Sequence, residues 1–340
     1  MTQKFKLLGF LILTMTEYTI DGRKITISYE VNLERNLIKI LEKEILLFCE
    51  AEKIVKQFPH LVFIVCNLNP KKLDLIATVS PELAIKGEYV VRLNAPALNA
   101  FFVDAPQEIR KLLKLTLTHE LTHLWQFSLV PAYTASAKSA KRLLAKIEAD
   151  QKVLGKNKAS IQHLRYFLQE FFHSLCLEGI AVYCSFGEKE GLPFSEEMFV
   201  KTYEHARSKA DLLSGELIRM YANLTGKEGV FEKRIISFVN SFIIQIEPFK
   251  YDVGLHLVYS IMFLGENMTV EKVIKLKPLE AIKVYEELMI TKGAQLINTT
   301  WRYVTFKKRS KPLVSLNSGR GILDYNKMLV EWSVLFKSVK

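Results

Sequence analysis

The polar–apolar pattern changes period near residue 33. Before it, Tyr18 and Ile20 alternate with polar residues, Asp21-Gly22 interrupts, and Ile25, Ile27, Tyr29 and Val31 alternate back. Alternation on both sides of an Asp-Gly pair predicts a β-hairpin. From Leu33 to about Gln57, Leu33, Leu37, Ile38, Ile40, Leu41, Ile45 and Phe48 recur at helical spacing. LVFIVC (61–66) and LDLIATV (73–79) are short, rich in β-branched residues, and read as strands. GEYVVRLNAP (87–96) alternates and then meets Pro96, which suits an edge strand because proline cannot donate to a ladder.

Past residue 100 the pattern is helical. The first helix, 105–128, is expected to be capped by Asp104, with Pro106 in its first turn and Gln107 at a capping-box-like spacing, and to close at Pro131. A lysine-rich helix at 138–153 and a long apolar one near 160–185 follow. Further helices are expected near 195–224, 229–246, 252–264, 277–291 and 322–338. The fold class is α+β. A small N-terminal α/β lobe with a mixed sheet, residues 1–130, includes the helix 105–128. A mostly helical lobe, 131–340, follows, with that helix at the cleft.

Composition narrows the class. The chain has 340 residues, 49% hydrophobic and 24% charged, which is a globular balance with no long disordered tail. Cys49, Cys66, Cys176 and Cys184 lie in apolar stretches without metal-site spacing, and read as buried free thiols in a reducing compartment. The N-terminus MTQKFKLLGFLILTM places lysines before an apolar run, as a signal peptide does. No small-residue cleavage site follows and the run leads into the hairpin, so a first strand is expected. No apolar stretch approaches the ~20 residues of a membrane span, and a soluble, cytoplasmic protein is the expectation.

The net charge of +11 is concentrated in part at 138–158 and at WRYVTFKKRSKP (301–312). Neither segment carries a nucleic-acid-binding pattern, so both read as solvated faces and no nucleic-acid partner is expected. Oligomeric state is not legible.

The chemistry sits in LTLTHELTHLWQF, residues 115–127. On a helix His119 and His123 are about 40° apart and one turn apart in rise, so both imidazoles can face one ion. Glu120 projects beside them, placed to act as general base toward an attacking water without ligating the metal. Leu117, Thr118, Leu121, Thr122, Leu124 and Trp125 carry no charge. A core helix with two hydrogen-bonded histidines would have to accommodate Glu120 in that setting at a cost of several kcal/mol. A third ligand has two candidates. Glu148, 25 residues after His123, has Lys152 and Lys141 one and two turns away, as on a solvated ion-pair face. Glu178, 55 residues after His123, stands in SLCLEGIAVYCSF with no cation from Leu175 to Val182, and is preferred. Glu170 and His173 on the same helix are candidates to orient it. Tyr251 and His256, in YDVGLHLVYS, open an apolar helix in which Gly254 suggests a close approach.

With these residues in view, the sequence resembles the gluzincins, the thermolysin-like clan of zinc metallopeptidases. His119, Glu120 and His123 match the HExxH helix. Glu178-Gly179-Ile180-Ala181 looks like the ExxA-type segment that carries a glutamate ligand, and Tyr251-Asp252-Val253-Gly254 is similar to the YxxG segment of some members. The resemblance implies a zincin-like fold, one Zn²⁺ held by His119, His123 and Glu178, Glu120 as base, and Tyr251 as donor to the oxyanion. It also implies peptide or protein substrates paired along an edge strand of the N-lobe, for which GEYVVRLNAP is the candidate. It covers 105–128, 175–185 and 251–259. One departure is the spacing, since many members place the glutamate much nearer the second histidine. The rival reading is a non-catalytic helical binding or scaffold protein with a structural or vestigial metal site, its basic faces open to contact with nucleic acid. The two part on whether Glu178 or Glu148 comes near the histidines.

Overall fold

The computed structural model describes residues 14–68, 75–130, 173–186, 195–207 and 250–293, the short pieces 6–7, 10–11 and 295–296, and residues 133, 149 and 209. The chain divides into two compact units, Met1–Thr134 with Cys184–Phe186, and Ala135–Tyr183 with Gly187–Lys340. The protein is a mixed α+β molecule. Among the described residues no helix is long and apolar enough to cross a membrane.

In the first unit Lys6–Leu7 (β1) pairs antiparallel with Phe10–Leu11 (β2), so the apolar N-terminal run is extended at these positions. Thr14–Ile20 (β3) and Arg23–Tyr29 (β4) form the expected hairpin. Its turn places Asp21 at φ 47° and Gly22 at φ 76°, the left-handed pair that an Asp-Gly dipeptide supplies at least cost. Helix α1, Arg35–Ala51, buries Leu37, Leu41, Ile45 and Phe48 along one stripe and leads into His60–Cys66 (β5), parallel to β4. Because β4 lies inside the sheet, Thr26 and Ser28 are buried along with Ile25, Ile27 and Tyr29. The Thr26 hydroxyl meets His60 Nε2 at 3.1 Å, and Ser28 donates to the Phe63 carbonyl.

The sheet runs β3-β4-β5-β7-β6, with β6 at Ala77–Val79 and β7 at Val90–Asn94. This corrects the expectation for 87–96. β7 is parallel to β5 on one side and antiparallel to β6 on the other, so it is an interior strand. Pro96 costs the ladder nothing, because it falls in the first turn of helix α3, Ala95–Asp104, the next helix after the short α2, Pro81–Ile85. The edge on this side of the sheet is β6, which packs against the helix α4, Ile109–Leu129. Of 73–79, residues 77–79 form a strand and 75–76 do not, while 73 and 74 lie outside the described residues. Asn94, fully buried, ties this region together. Its side chain accepts from Leu68 N–H at 3.3 Å and donates to the Leu75 carbonyl at 2.8 Å.

The start of the histidine helix also differs. Asp104 is the last residue of α3, Pro106–Glu108 is a 3-10 turn, and α4 begins at Ile109 with Glu108 before it and no side-chain cap. The Asp-Ala-Pro-Gln pattern therefore marks a helix-to-helix joint. α4 ends at Leu129 as expected; Pro131 lies outside the described residues.

The described part of the second unit is helical at 173–183, 196–207, 250–264, Val270–Lys275 and Pro278–Leu288, closing in one π-helical turn, Met289–Gly293. Residues 184–186 continue the first of these helices and belong with the first unit. The helix 270–275 was not legible from periodicity, being barely two turns long; Thr269 caps it, accepting from Lys272 N–H. Phe199, Leu257, Tyr259, Ile261, Ile282 and Tyr285 are fully buried. Glycine allows the tightest contact. A Cβ on Gly179 would strike the Gly254 backbone, and one on Gly254 would strike the Leu175 carbonyl and come within 2.9 Å of Gly179 Cα. The helical stretches 173–186 and 250–264 thus cross with their backbones touching. The helices expected at 229–246 and 322–338 and the basic segment 301–312 lie outside the described residues, as does the one expected at 138–153 apart from Ala149, which is helical.

Candidate metal centre

α4 presents the histidines because of how its neighbours are placed. Leu113, Leu117, Leu121 and Leu124 are buried, and the helix packs against α1, the short helix Pro81–Ile85, β6 and β7. Thr122, a poor helix former, is buried with its hydroxyl donating to the Thr118 carbonyl at 2.7 Å. His123 is 7% exposed, while His119 and Glu120 are half-buried. The two imidazoles meet edge to face, with Nε2 of one 3.0 Å from Nε2 of the other. Two nitrogens on one tetrahedral metal at the usual bond length stand about 3.3 Å apart, so the pair already has nearly that spacing.

One partner was missed from the sequence. Gln126 is fully buried, and His123 Nδ1 donates to its Oε1 at 3.0 Å. That bond leaves the His123 Nε2 lone pair turned toward His119, the tautomer a metal ligand requires. The signal was available, since 119, 123 and 126 follow the i, i+4, i+7 spacing of one face, and a glutamine there is anomalous in a core. Gln126→Leu is expected to weaken metal binding about 10–100-fold, measured by competition with a chelator; an unchanged affinity would remove Gln126 from the site.

Glu178 is 12% exposed, and its Oε1 receives Lys250 Nζ at 3.0 Å, with Lys250 13% exposed. This overturns one step of the sequence argument. Glu178 has a half-buried cation beside it, which the run 175–182 could not reveal because Lys250 is 72 residues away. The Lys250 ammonium also lies 5.1 Å from the centre of the Tyr251 ring. The ExxA-like and YxxG-like segments therefore meet, through Lys250 and through the glycine crossing. One ligand atom from each of His119, His123 and Glu178 lies within 4.8 Å of the others, a group that could hold a metal ion. Its donor set of two imidazole nitrogens and one carboxylate oxygen fits a divalent ion with one position open. Glu148 and Glu170 lie outside the described residues; His173 is half-buried.

His256 is a core residue. It is 1% exposed among Phe199, Tyr203 and Tyr285, with Thr202 Oγ1 3.1 Å from its Nδ1 and Ser260 Oγ 3.3 Å from its Nε2. Burial pushes it from 6.5 down to about 3. The folded protein therefore keeps it neutral where the unfolded chain takes up a proton. Its contribution is full above pH 6.5 and is lost as pH falls from there toward 3, by at most about 1.4 kcal/mol per pH unit. His256→Gln cannot titrate, and its thermal midpoint is expected to fall less than that of wild type between pH 6.5 and about 4.5. Equal acid sensitivity would place the loss elsewhere.

No disulfide joins the four cysteines; Cys49, Cys66 and Cys176 are buried as expected, whereas Cys184 is half-buried. Burial raises the Cys49 and Cys176 thiols to about 12 and the Cys66 thiol to about 11, so none of these three offers a thiolate near neutrality. A depression of about 550 Å³ at the ends of β4, β5 and β7, lined by Glu30, Asn32, Glu34, Asn67 and Asn99, includes none of the sequence-predicted site residues. No protein-family model, curated protein or solved structure matches this chain.

Proposed function

We propose that the protein is a zinc-dependent peptidase with a zincin-like arrangement, in which His119, His123 and Glu178 hold one Zn²⁺. The observation that carries this reading is the approach of those three ligand atoms to within 4.8 Å, with Glu120 on the same helix as the histidines. Zinc, when bound, polarises the attacking water and the scissile carbonyl. Glu120 takes the proton of that water and passes it to the leaving amine. Gln126 keeps His123 in its ligating tautomer. Tyr251 donates its hydroxyl to the oxyanion. The substrate backbone pairs with β6, the edge strand beside α4, in the role first assigned to 87–96. The buried thiols suit a reducing compartment such as the cytoplasm.

A second reading has one observation in its favour. The Lys250–Glu178 pair compensates a buried carboxylate without any metal, as a non-catalytic helical protein would require. Metal analysis beside cleavage of a mixed peptide pool separates the two. A peptidase is expected to carry about one zinc per chain and to lose cleavage on chelation and regain it on zinc addition. Stoichiometric zinc with no cleavage of any peptide points to the second reading, and absence of zinc binding sinks the first.

A further inference from the structure

Lys250 is not a surface lysine that happens to bend toward an acid. It is 13% exposed, its ammonium lies 3.0 Å from Glu178 Oε1, and its position is set by backbone contact. Gly179, the residue after Glu178, meets Gly254, one helical turn beyond Lys250. The two helical stretches cannot slide past each other without parting this contact, so the ion pair is a fixed element of the second unit. A partly buried carboxylate needs a cation, and Glu178 has one in Lys250.

We propose that Lys250 and the metal are alternative counter-ions of Glu178, so that Lys250 sets the affinity of the site. The inference rests on the metal reading above. A divalent cation and an ammonium on one carboxylate repel each other, because the two positive groups share a short separation in a partly buried setting. Metal entry therefore shifts the Lys250 ammonium away from Glu178, and the work of that exchange is subtracted from metal affinity. Lys250 acts here as a positioning residue; the ligands remain the two histidines and the glutamate. By linkage, whatever Lys250 takes from metal binding it returns as stability of the metal-free protein.

The test uses the full chain with zinc itself as probe, in Lys250→Met and Lys250→Arg variants. Zinc affinity is read by chelator competition and thermal midpoints are read with and without zinc. Lys250→Met is expected to bind zinc at least tenfold more tightly than wild type, to melt lower without metal, and to gain more from zinc. Lys250→Arg, which keeps the charge, is expected to stay near wild-type affinity. A Lys250→Met protein that folds only with zinc supports the exchange, and one that stays unfolded with zinc overturns it. Equal or weaker zinc binding by Lys250→Met overturns it while leaving the metal site standing. Failure of wild type and both variants to bind zinc removes the metal reading and this inference with it.

Discussion

Replacing Glu120 by glutamine is expected to lower peptide hydrolysis by about 10²–10⁴-fold and to leave the zinc content unchanged. Glutamine has nearly the shape of glutamate but cannot accept the proton of the attacking water. Glu120 stands on α4 between His119 and His123 in sequence, about 100° around the helix from His119, so it flanks the ligand face without joining it. It is also outside the His119, His123 and Glu178 group, so its charge is not needed to close the coordination set. The two halves of the expectation are read separately, as zinc per chain and as kcat on one cleaved peptide. Activity within tenfold of wild type would show that another group takes the proton. Loss of zinc would make Glu120 a ligand.

Gly254→Val is expected to destabilise the protein by roughly 3 kcal/mol or more, read as a lower thermal midpoint. The intrinsic helix preference points the other way, since valine exceeds glycine by a few tenths of a kcal/mol in a helix. Sterics win because the atoms in the way are backbone. A Cβ at 254 meets the Leu175 carbonyl and the Gly179 backbone, and no rotamer change can move either. The crossing must open, and with it the 3.0 Å contact between Lys250 and Glu178. A midpoint equal to or above wild type would mean that the helices separate at little cost.

How much of this could be read beforehand depended on where the partners lie in the chain. The β3–β4 hairpin and α1 were legible because Asp21-Gly22 and the stripe Leu37, Leu41, Ile45, Phe48 specify themselves locally. The position of β7 was not, because an interior strand differs from an edge strand only in its neighbours, and β6 comes from elsewhere in the sequence. Pro96 misled for the same reason, since its meaning depends on whether a ladder or a helix follows. His119, Glu120 and His123 stood out because polar groups at helical spacing in an uncharged run need an explanation. The anomaly of Gly254 was visible, but not its partner Gly179. Lys250 was invisible as the partner of Glu178, since inspection of a short window finds only local cations.

Asn94 has a consequence for engineering. One buried side chain fastens both Leu68 and Leu75, so the chain between them leaves and returns at anchored points. Changing that side chain takes a partner from two backbone groups at once, so position 94 is to be kept as asparagine wherever β6 and the helix it packs against have to be left undisturbed.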